Sequence, residues 1–273
     1  NRNVICSSHP QVSPVFEQIH NYADKISKML LPKTQSYYEV WIDNEKIYDR
    51  SIEADPLYQD KYLPRKFKIA IAIPPTNDVD VFANDIGLIA IVEEDKLIGF
   101  NIAIGGGLST THGNEQTYSR LATVIGFSDN EEDTMKLIYE VLTIQRDYGN
   151  RSDRKLARLK YTLDRLGVEN FVKELEHRAG VQLQPARAYE FTERNDRYGW
   201  QQAHDGKWYY TLFVENGVVQ TYQKEFLYNL SKLAVSDFKF TCNQNLILGE
   251  IEEEDKWLVE KLLVEHAIEL RNS

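Results

Sequence analysis

The sequence predicts an α+β fold in two parts, and its length, its grouping of elements and one change of pattern carry that prediction. The chain has 273 residues, which at roughly 100–200 residues per domain indicates two domains. Strand-like and helix-like stretches come in groups rather than in regular alternation, as is typical of α+β domains. The pattern changes after Pro185, so we place a boundary near Ala186–Glu193 and expect domains at 1–186 and 187–273.

In the first domain, a helix is expected to begin at Ser13-Pro14, an N-cap followed by proline, and to end before Pro32. Runs of β-branched and aromatic residues predict strands at Tyr37–Ile42, Phe67–Ile73, Leu88–Val92 and Leu97–Ile104, the last two joined by a turn at 93–95. The expected helices are one capped by Asn130, one at Asp153–Leu166 and one at Val168–Ala179, the last two ending at glycines.

The second domain is rich in hairpin signals, of which Asp205-Gly206 is the strongest. Its strand, strand, helix, strand, helix order is the half-size ferredoxin-like pattern. The expected strands are Gly199–Ala203, Trp208–Val214, Phe238–Cys242 and Leu246–Ile251, and the expected helices are Phe226–Ala234 and Glu252–His266.

Composition excludes several classes of protein. The formal net charge of −10 argues against a nucleic-acid partner, which usually needs a basic surface. No apolar run reaches the roughly 18 residues of a membrane span, and no signal peptide is visible, so we expect a cytoplasmic chain. The two cysteines, Cys6 and Cys242, cannot supply the four thiolates of a structural zinc site or an iron–sulfur cluster. The six histidines show no metal-ligand spacing, and the aspartates between Asp78 and Asp85 lack the calcium-loop pattern, so no metal ligands are predicted.

The few positive charges are clustered, and this is the informative feature of an acidic chain. Lys66 and Lys68 share one face of a predicted strand, about 6–7 Å apart, an arrangement that an anion between them would favour. From Asn150 to Lys160, Arg151, Lys155 and Arg158 are spaced to share one helical face, which suggests a multiply anionic ligand. For both clusters the alternative is a solvated surface with no ligand.

Weaker signals lie elsewhere. Arg2 is a lone arginine between two asparagines. Gly105-Gly106-Gly107 allows close backbone approach to a ligand, and the alternative is that it simply turns the chain. The glycine run lacks the spacing of a P-loop or a dinucleotide site.

Eight short segments carry a resemblance when they are taken in order. They are Asn1-Arg2-Asn3-Val4, Leu63-Pro64-Arg65-Lys66-Phe67-Lys68, Asn77-Asp78-Val79-Asp80, Ala83-Asn84-Asp85, Gly105-Gly106-Gly107-Leu108-Ser109, Gln145-Arg146-Asp147-Tyr148-Gly149-Asn150-Arg151, Asp153-Arg154-Lys155 and Thr241-Cys242-Asn243-Gln244-Asn245. In this order they resemble the sulfite/nitrite reductase family, and within it the assimilatory sulfite reductases. The resemblance implies a siroheme-type nitrite/sulfite reductase domain followed by a ferredoxin-like half domain.

The resemblance also implies an activity and a set of site residues. Family members reduce sulfite to sulfide by six electrons at a siroheme, a haem with eight carboxylates, coupled to a 4Fe–4S cluster. The catalytic cations that line the anion pocket correspond to Arg2, Lys66 and Lys68. The cofactor-binding residues it implies are Arg65, Gly105, Gly106, Gly107, Asn150, Arg151, Arg154, Lys155, Arg158, Asn243, Gln244 and Asn245.

Two features refine that expectation. Nitrite reductases of the family commonly carry asparagine where this chain has Lys68, so sulfite is favoured over nitrite. Cys6 and Cys242 match none of the cluster ligands, so we expect a central fragment of the enzyme that is inactive alone. The sequence does not decide whether this fragment retains siroheme. The electron donor of the full enzyme is expected to be a ferredoxin or a flavoprotein reductase subunit. The alternatives are a nitrite reductase fragment and a non-catalytic tetrapyrrole- or anion-binding module.

Overall fold

The computed structural model describes residues 2–9, 14–33, 39–49, 55–59 and 61–268. Strands and helices fall into two groups on either side of a linker at 181–198. The first group comprises β1 (Arg2–Cys6), α1 (Pro14–Met29), β2 (Glu39–Ile42), β3 (Glu45–Asp49), β4 (Phe67–Ala72), β5 (Ile86–Glu93), β6 (Lys96–Ile104), β7 (Thr123–Ser128), α2 (Glu131–Tyr148), α3 (Leu159–Leu166) and α4 (Val168–Ala179). The second comprises β8 (Gly199–Gln202), β9 (Trp208–Leu212), α5 (Thr221–Leu233), β10 (Asp237–Phe240), β11 (Leu246–Ile251) and α6 (Lys256–Glu265).

A five-stranded mixed sheet organises the first group, in the order β1-β4-β5-β6-β7. Strands β1, β4 and β5 are parallel, whereas β5, β6 and β7 are antiparallel. In the parallel register Arg2 lies opposite Phe67, and Ile69 lies opposite Ile86. Residues that begin these three strands therefore lie along one edge of the sheet, which we call the starting edge.

Both faces of this sheet are covered, which explains why β4 and β5 are nearly continuous runs of apolar residues. Phe67, Ile69 and Ile71 of β4 pack into the main core with helices α1, α2, α3 and α4. The alternate residues Ala70 and Ala72 face a smaller cluster with Val79 and Val81, from the chain that crosses between β4 and β5.

The second group forms a four-stranded antiparallel sheet in the order β10-β11-β9-β8, with α5 and α6 packed against it. Phe226 and Leu230 of α5 and Val259 and Leu263 of α6 are buried in that core. The structure confirms the α+β class and the ferredoxin-like half pattern, although α5 begins at Thr221, earlier than predicted, and α6 begins at Lys256, after a short 3₁₀ turn.

Several predicted elements are confirmed, among them the helix that starts at Pro14, the hairpin of β5 and β6, and the helix capped by Asn130, whose side chain accepts a hydrogen bond from the Asp133 N–H. Strands β1, β3 and β7 were not predicted. Ser13 and residues 37–38 of the predicted Tyr37–Ile42 strand lie outside the described residues, and β2 covers its second half.

The predicted helix at Asp153–Leu166 is wrong in its first half. Residues Arg154–Leu156 form a single 3₁₀ turn, and α3 begins only at Leu159, after an extended Arg158. Asn150 and Asp153 accept hydrogen bonds from the backbone N–H groups two residues ahead of them, a local pattern that competes with a helix. Arg151, Lys155 and Arg158 therefore do not share a helical face.

The linker is tied to the first sheet along its length. Asn101 holds Arg187 through two hydrogen bonds, from its amide to the Arg187 carbonyl and from the Arg187 N–H to its side-chain oxygen, each 2.8 Å. Further along, Thr76 and Glu193 form a bridge between the β4 end and the linker. Among the described residues, none of the helices combines the length and apolar character that a membrane span requires.

Candidate functional site

A cavity of about 530 Å³ lies where the turn at 150–156 faces the start of β4. Its cationic lining consists of Arg65, Lys66, Arg154, Lys155 and Arg158, joined by hydroxyl residues of the segment 109–117. A second cavity of about 440 Å³ shares Arg65, Lys66 and Arg154 with the first. Two segments nearly 90 residues apart in sequence thus meet around one space.

Four of these cations form what we call the basic rim: Arg65, Lys66, Arg154 and Lys155. Lys66, Arg154 and Lys155 are exposed and Arg65 is half-buried. None of the four forms an ion pair with a carboxylate among the residues that the structure describes. The cavity holds one acid, Asp153, and its Oδ1 accepts a hydrogen bond from the backbone N–H of Lys155. In a chain with an excess of acids, this unneutralised charge indicates a site for an anionic ligand.

Local hydrogen bonds give the rim its shape. Asn150 Oδ1 accepts from the N–H groups of Ser152 and Asp153, at 2.8 and 3.1 Å, and so folds the turn that carries Arg154 and Lys155. Arg151 Nη2 donates to the Tyr62 carbonyl at 2.6 Å, which ties this turn to the segment just before β4. Asn150 and Arg151 therefore position the rim and are not themselves among the cavity lining.

Next to the cavity lies what we call the pocket floor, formed by Asp85, Gly105–Gly107, Arg158 and Lys160, of which Arg158 alone is part of the cavity lining. Arg158 makes a forked ion pair with Asp85, with Nε and Nη2 at 3.1 and 3.0 Å from Oδ1, and Nη2 at 3.0 Å from Oδ2. The backbone N–H of Lys68 donates to the same carboxylate at 2.9 Å. Burial raises the pKa of Asp85, and the guanidinium of Arg158 acts against it. Arg158 lines the cavity, yet its charge is already neutralised by the chain itself.

The glycine run is required by the chain's own packing. The N–H groups of Gly105 and Gly106 donate to the carbonyls of Asp85 and Asn84, both at 2.9 Å. A Cβ atom on Gly106 would lie 2.2 Å from the carbonyl oxygen of Phe82, so only glycine fits there. The close approach that the glycines permit is therefore to this backbone, and contact with a cofactor remains a prediction.

Lys160, like Asp85, is a floor residue that no sequence pattern indicated as a site residue. It is fully buried at the first turn of α3, and its Nζ donates to the carbonyls of Gly107 at 3.0 Å, Ser109 at 2.9 Å and Tyr118. Its Nζ also lies 4.9 Å from the ring centre of Tyr161. Burial, and then the charge of Arg158, lowers the pKa of Lys160. Lys160 thereby holds the loop that forms the far wall of the cavity.

The remaining predicted residues fall into two places. The backbone of Arg2 pairs with Phe67 at the starting edge, next to Lys66, and Lys68 is half-buried in β4 without lining either cavity. Asn243, Gln244 and Asn245 lie beyond the other ends of β1 and β4, where Asn243 and Asn245 donate to Asp196 at 2.9 and 2.7 Å. Only a ligand large enough to span these strands could contact both groups.

Around Asp196 the structure assembles a buried polar cluster that sequence spacing did not reveal. His9 Nε2 lies 3.0 Å from Asp196 Oδ1, across 187 residues of sequence, and 4.0 Å from Asp78 Oδ2. Burial acts against ionisation of Asp196, but hydrogen bonds from His9, Thr241, Asn245 and Asn243 outweigh it and lower its pKa to about 2. This cluster joins the first sheet to the second, because Asp78 follows β4 and Asp196 precedes β8.

Two family models match the chain in the order of its two folded parts. The nitrite and sulphite reductase 4Fe–4S domain matches residues 22–183, and the nitrite/sulfite reductase ferredoxin-like half domain matches residues 201–266. The first of these matched segments contains no cysteine, so it holds none of the thiolates that bind such a cluster.

Curated relatives agree with this assignment. The chain is 54% identical over 272 residues to the sulfite reductase (NADPH) hemoprotein beta-component of Leptospira biflexa, a match that covers 98% of this chain and 49% of the relative. The protein of the same name from Bacillus pumilus is 48% identical, over 98% of this chain and 48% of the relative. The chain therefore spans about half the length of the curated relatives it matches.

A solved structure supports the fold. The Mycobacterium tuberculosis NirA protein matches 99% of this chain and 44% of its own length, with a TM-score of 0.72 at 23% identity.

Proposed function

The chain belongs to the nitrite and sulphite reductase family, and on that premise we propose that it forms the anion- and siroheme-binding part of an assimilatory sulfite reductase. The observation that carries the proposal is the basic rim, a group of cations without carboxylate partners around a cavity in a chain of net charge −10. In this proposal, residues 1–186 are the siroheme-type domain and residues 187–273 the half domain of a cytoplasmic protein.

The residues present fit a polycarboxylate cofactor. Siroheme carries eight carboxylates, and guanidinium and ammonium groups bind carboxylates through charge-assisted hydrogen bonds. Arg65, Lys66, Arg154 and Lys155 present such donors on one side of a cavity, and the hydroxyls of Thr110 and Thr111 border it on another. Asn150 and Arg151 hold the turn that carries two of these cations.

The starting edge of the sheet offers a place for the substrate anion. Reduction of sulfite to sulfide consumes six electrons and six protons and releases three waters. We assign Arg2, Lys66 and Lys68 to this step, because fixed cations beside a dianion stabilise its oxygens and a protonated lysine can donate a proton to each departing oxygen. The bound cofactor supplies the electrons. The hydrogen bond from the Lys68 N–H to the Asp85 carboxylate fixes the position of Lys68 in β4.

In this proposal, the iron–sulfur cluster that passes electrons to the siroheme is bound by residues that this chain does not contain. Two cysteines cannot hold a four-thiolate cluster, so no residue of this chain is assigned to one. Because the relatives carry NADPH in their names, we favour a flavoprotein subunit linked to NADPH as donor over a ferredoxin. Nitrite reduction is the second candidate function, and the relatives' names and Lys68 both favour sulfite over it.

The test is a siroheme titration of the 273-residue chain followed by visible absorption. Arg154→Ala/Lys155→Ala removes two rim cations from an exposed turn, and we expect it to weaken siroheme binding by a factor on the order of tenfold or more, since each charge-assisted hydrogen bond contributes about 1.5–3 kcal/mol. Lys173→Ala/Lys224→Ala removes two exposed lysines that line neither cavity and is the matched control. Equal affinities for all three proteins would refute the proposed site.

A second measurement separates enzyme from binding module. With reduced viologen as donor, we expect the chain alone to show no sulfite reduction even when siroheme is bound. Turnover by this chain alone would contradict the assignment of the electron input to residues elsewhere. Siroheme binding without any enhancement of affinity by sulfite would favour a non-catalytic tetrapyrrole module.

A further inference from the structure

The buried cluster of His9, Asp78 and Asp196 combines one imidazole with two carboxylates at the junction of the two folded parts. One potential ligand atom from each residue lies within 4.8 Å of those of the other two. The side chains are almost completely enclosed, with relative exposures of 5% for His9, 4% for Asp78 and 3% for Asp196. No step of the proposed function uses these three residues.

The compensation of the two acids is uneven: hydrogen bonds hold the pKa of Asp196 low, whereas burial raises the pKa of Asp78. Among the described residues, His9 is the one ionisable group that pairs with Asp78 or Asp196, at 4.0 and 3.0 Å. Two buried carboxylates beside one imidazole are an expensive arrangement, because removing each charge from water costs several kcal/mol unless it is compensated. A divalent cation would offset both carboxylates.

An independent observation points to a missing partner. Asp78 Oδ2 accepts a hydrogen bond from Ser7 Oγ at 2.7 Å, but Asp78 Oδ1 has no hydrogen-bond partner among the described residues. His9 Nδ1 is also buried without a partner there, but it lies across the imidazole ring from Nε2, so an ion bound at Nε2 would not contact it. Buried polar atoms almost always have partners, so Asp78 Oδ1 calls for a group that the described residues do not supply.

We propose that His9, Asp78 and Asp196 bind one divalent transition-metal ion, with Zn²⁺ as the best-matched probe. Zinc binds imidazole nitrogen and carboxylate oxygen at about 2.0–2.2 Å, so neighbouring ligand atoms in a tetrahedral site lie about 3.3–3.5 Å apart. The observed separations of 3.0 and 4.0 Å bracket that value. Three protein ligands leave the fourth position to water.

The surroundings orient the carboxylates as metal sites require. Asp196 accepts hydrogen bonds from Thr241 Oγ1 at 2.6 Å and from the amides of Asn243 and Asn245. Such outer hydrogen bonds fix the direction of a metal-binding carboxylate. The ion would connect three segments: His9 after β1, Asp78 after β4 and Asp196 before β8. Its effect would therefore be on the stability of the fold.

The experiment measures Zn²⁺ binding to the chelator-treated 273-residue chain, by competition with a chromophoric chelator. We expect one Zn²⁺ per chain, a rise in melting temperature on adding Zn²⁺, and a loss of affinity of at least tenfold in His9→Gln and in Asp78→Asn. His9→Gln retains a donor for Asp196, and Asp78→Asn retains the side-chain volume, so both variants should fold. Circular dichroism and the melting temperature of the metal-free variants verify this.

Two controls complete the design. His204→Gln changes an exposed histidine in the turn between β8 and β9 and should bind Zn²⁺ like the parent. Cys6→Ser/Cys242→Ser removes the two thiols near this cluster and should also retain binding. Absence of stoichiometric binding, unchanged affinity in His9→Gln, or loss of binding only in the double cysteine variant would each overturn the proposal. None of these outcomes depends on siroheme, so the proposal stands or falls separately from the proposed function.

Discussion

The basic rim and the pocket floor contain the same types of cation but treat charge in opposite ways. On the floor, Arg158 is buried and its guanidinium is held by both oxygens of Asp85, and Lys160 is held by three backbone carbonyls. On the rim, Arg154 and Lys155, three to six residues earlier in the sequence, are exposed and have no carboxylate partner among the described residues.

The difference separates cations that serve folding from cations that await a ligand. A cation whose partners come from its own chain is already compensated in the folded protein and needs no ligand. A cluster of like charges without partners raises the free energy of the free protein slightly and is relieved when an anion binds.

Arg158→Ala should destabilise the protein by about 3–5 kcal/mol, because it leaves Asp85 buried without its counter-charge. Urea unfolding measures the change. Arg154→Ala is the matched control from the same segment, and its effect should stay within about 0.5 kcal/mol. Similar losses for the two variants would remove the distinction between floor and rim.

The rim double variant Arg154→Ala/Lys155→Ala should make siroheme binding less sensitive to salt. Rim charges are exposed, so their attraction to carboxylates is screened as ionic strength rises. For the parent chain we expect the affinity to fall on the order of tenfold between low salt and about 0.5 M salt, and less steeply for the variant. Titrations at several salt concentrations measure both slopes, and parallel slopes would show that the rim does not bind the ligand's charge.

Gly106→Ala should destabilise the floor by about 1–3 kcal/mol, because the new methyl group would overlap the Phe82 carbonyl oxygen. The neighbouring substitution Gly107→Ala is the control. Its Cβ would lie 3.3 Å from Arg158 Nη2 and 3.4 Å from Lys160 Cδ, which is a tight contact rather than an overlap, so we expect a smaller loss of stability. Denaturant unfolding compares the two, and a larger loss for Gly107→Ala would contradict the packing described.

Asp147 offers a case between rim and floor, because its partly exposed carboxylate bridges α2 and α4. Hydrogen bonds from Arg146 and Arg178 lower its pKa, although burial acts in the opposite direction. A lowered pKa in the folded state means that the ion pairs stabilise the protein above the unfolded value of about 3.9 and that this contribution disappears as the pH falls below it.

Asp147→Asn should therefore flatten the dependence of unfolding free energy on pH below about pH 4, by less than about 1 kcal/mol. Unfolding curves of parent and variant at several acidic pH values measure it. A variant curve as steep as that of the parent would mean that other carboxylates account for the acid sensitivity.

Local patterns predicted most of the elements and revealed the two separate runs of cations that supply the rim. The Asn130 cap, the glycines after α3 and α4 and the apolar runs of β4 to β6 are signals contained in a few neighbouring residues. The short β1 and β3 lack such a signal, since β1 is stabilised by pairing with β4 more than 60 residues away.

In the candidate site, the sequence indicated the rim cations, which have no carboxylate partner, but not the residues whose partners lie far away in the sequence. Helical spacing placed Arg158 and Lys155 on one face of a helix. In the structure Arg158 instead pairs with Asp85, 73 residues away, and is buried, whereas Lys155 is exposed. The cluster of His9 and Asp196 spans 187 residues, so no spacing rule could have found it. Lys160 looked like one more surface cation, because nothing in its neighbours shows that three carbonyls surround it.

The bonds of Lys160 also have a consequence for how fast a ligand can enter. They tie the loop between Ser109 and Tyr118, which lines the cavity, to the floor before any ligand arrives, so this loop loses its conformational freedom when the protein folds. Encounter with an anion then requires no loop closure, and association should proceed in a single phase at a rate set by diffusion and electrostatic steering. Differences in affinity among rim variants should accordingly appear mainly in how long the ligand stays.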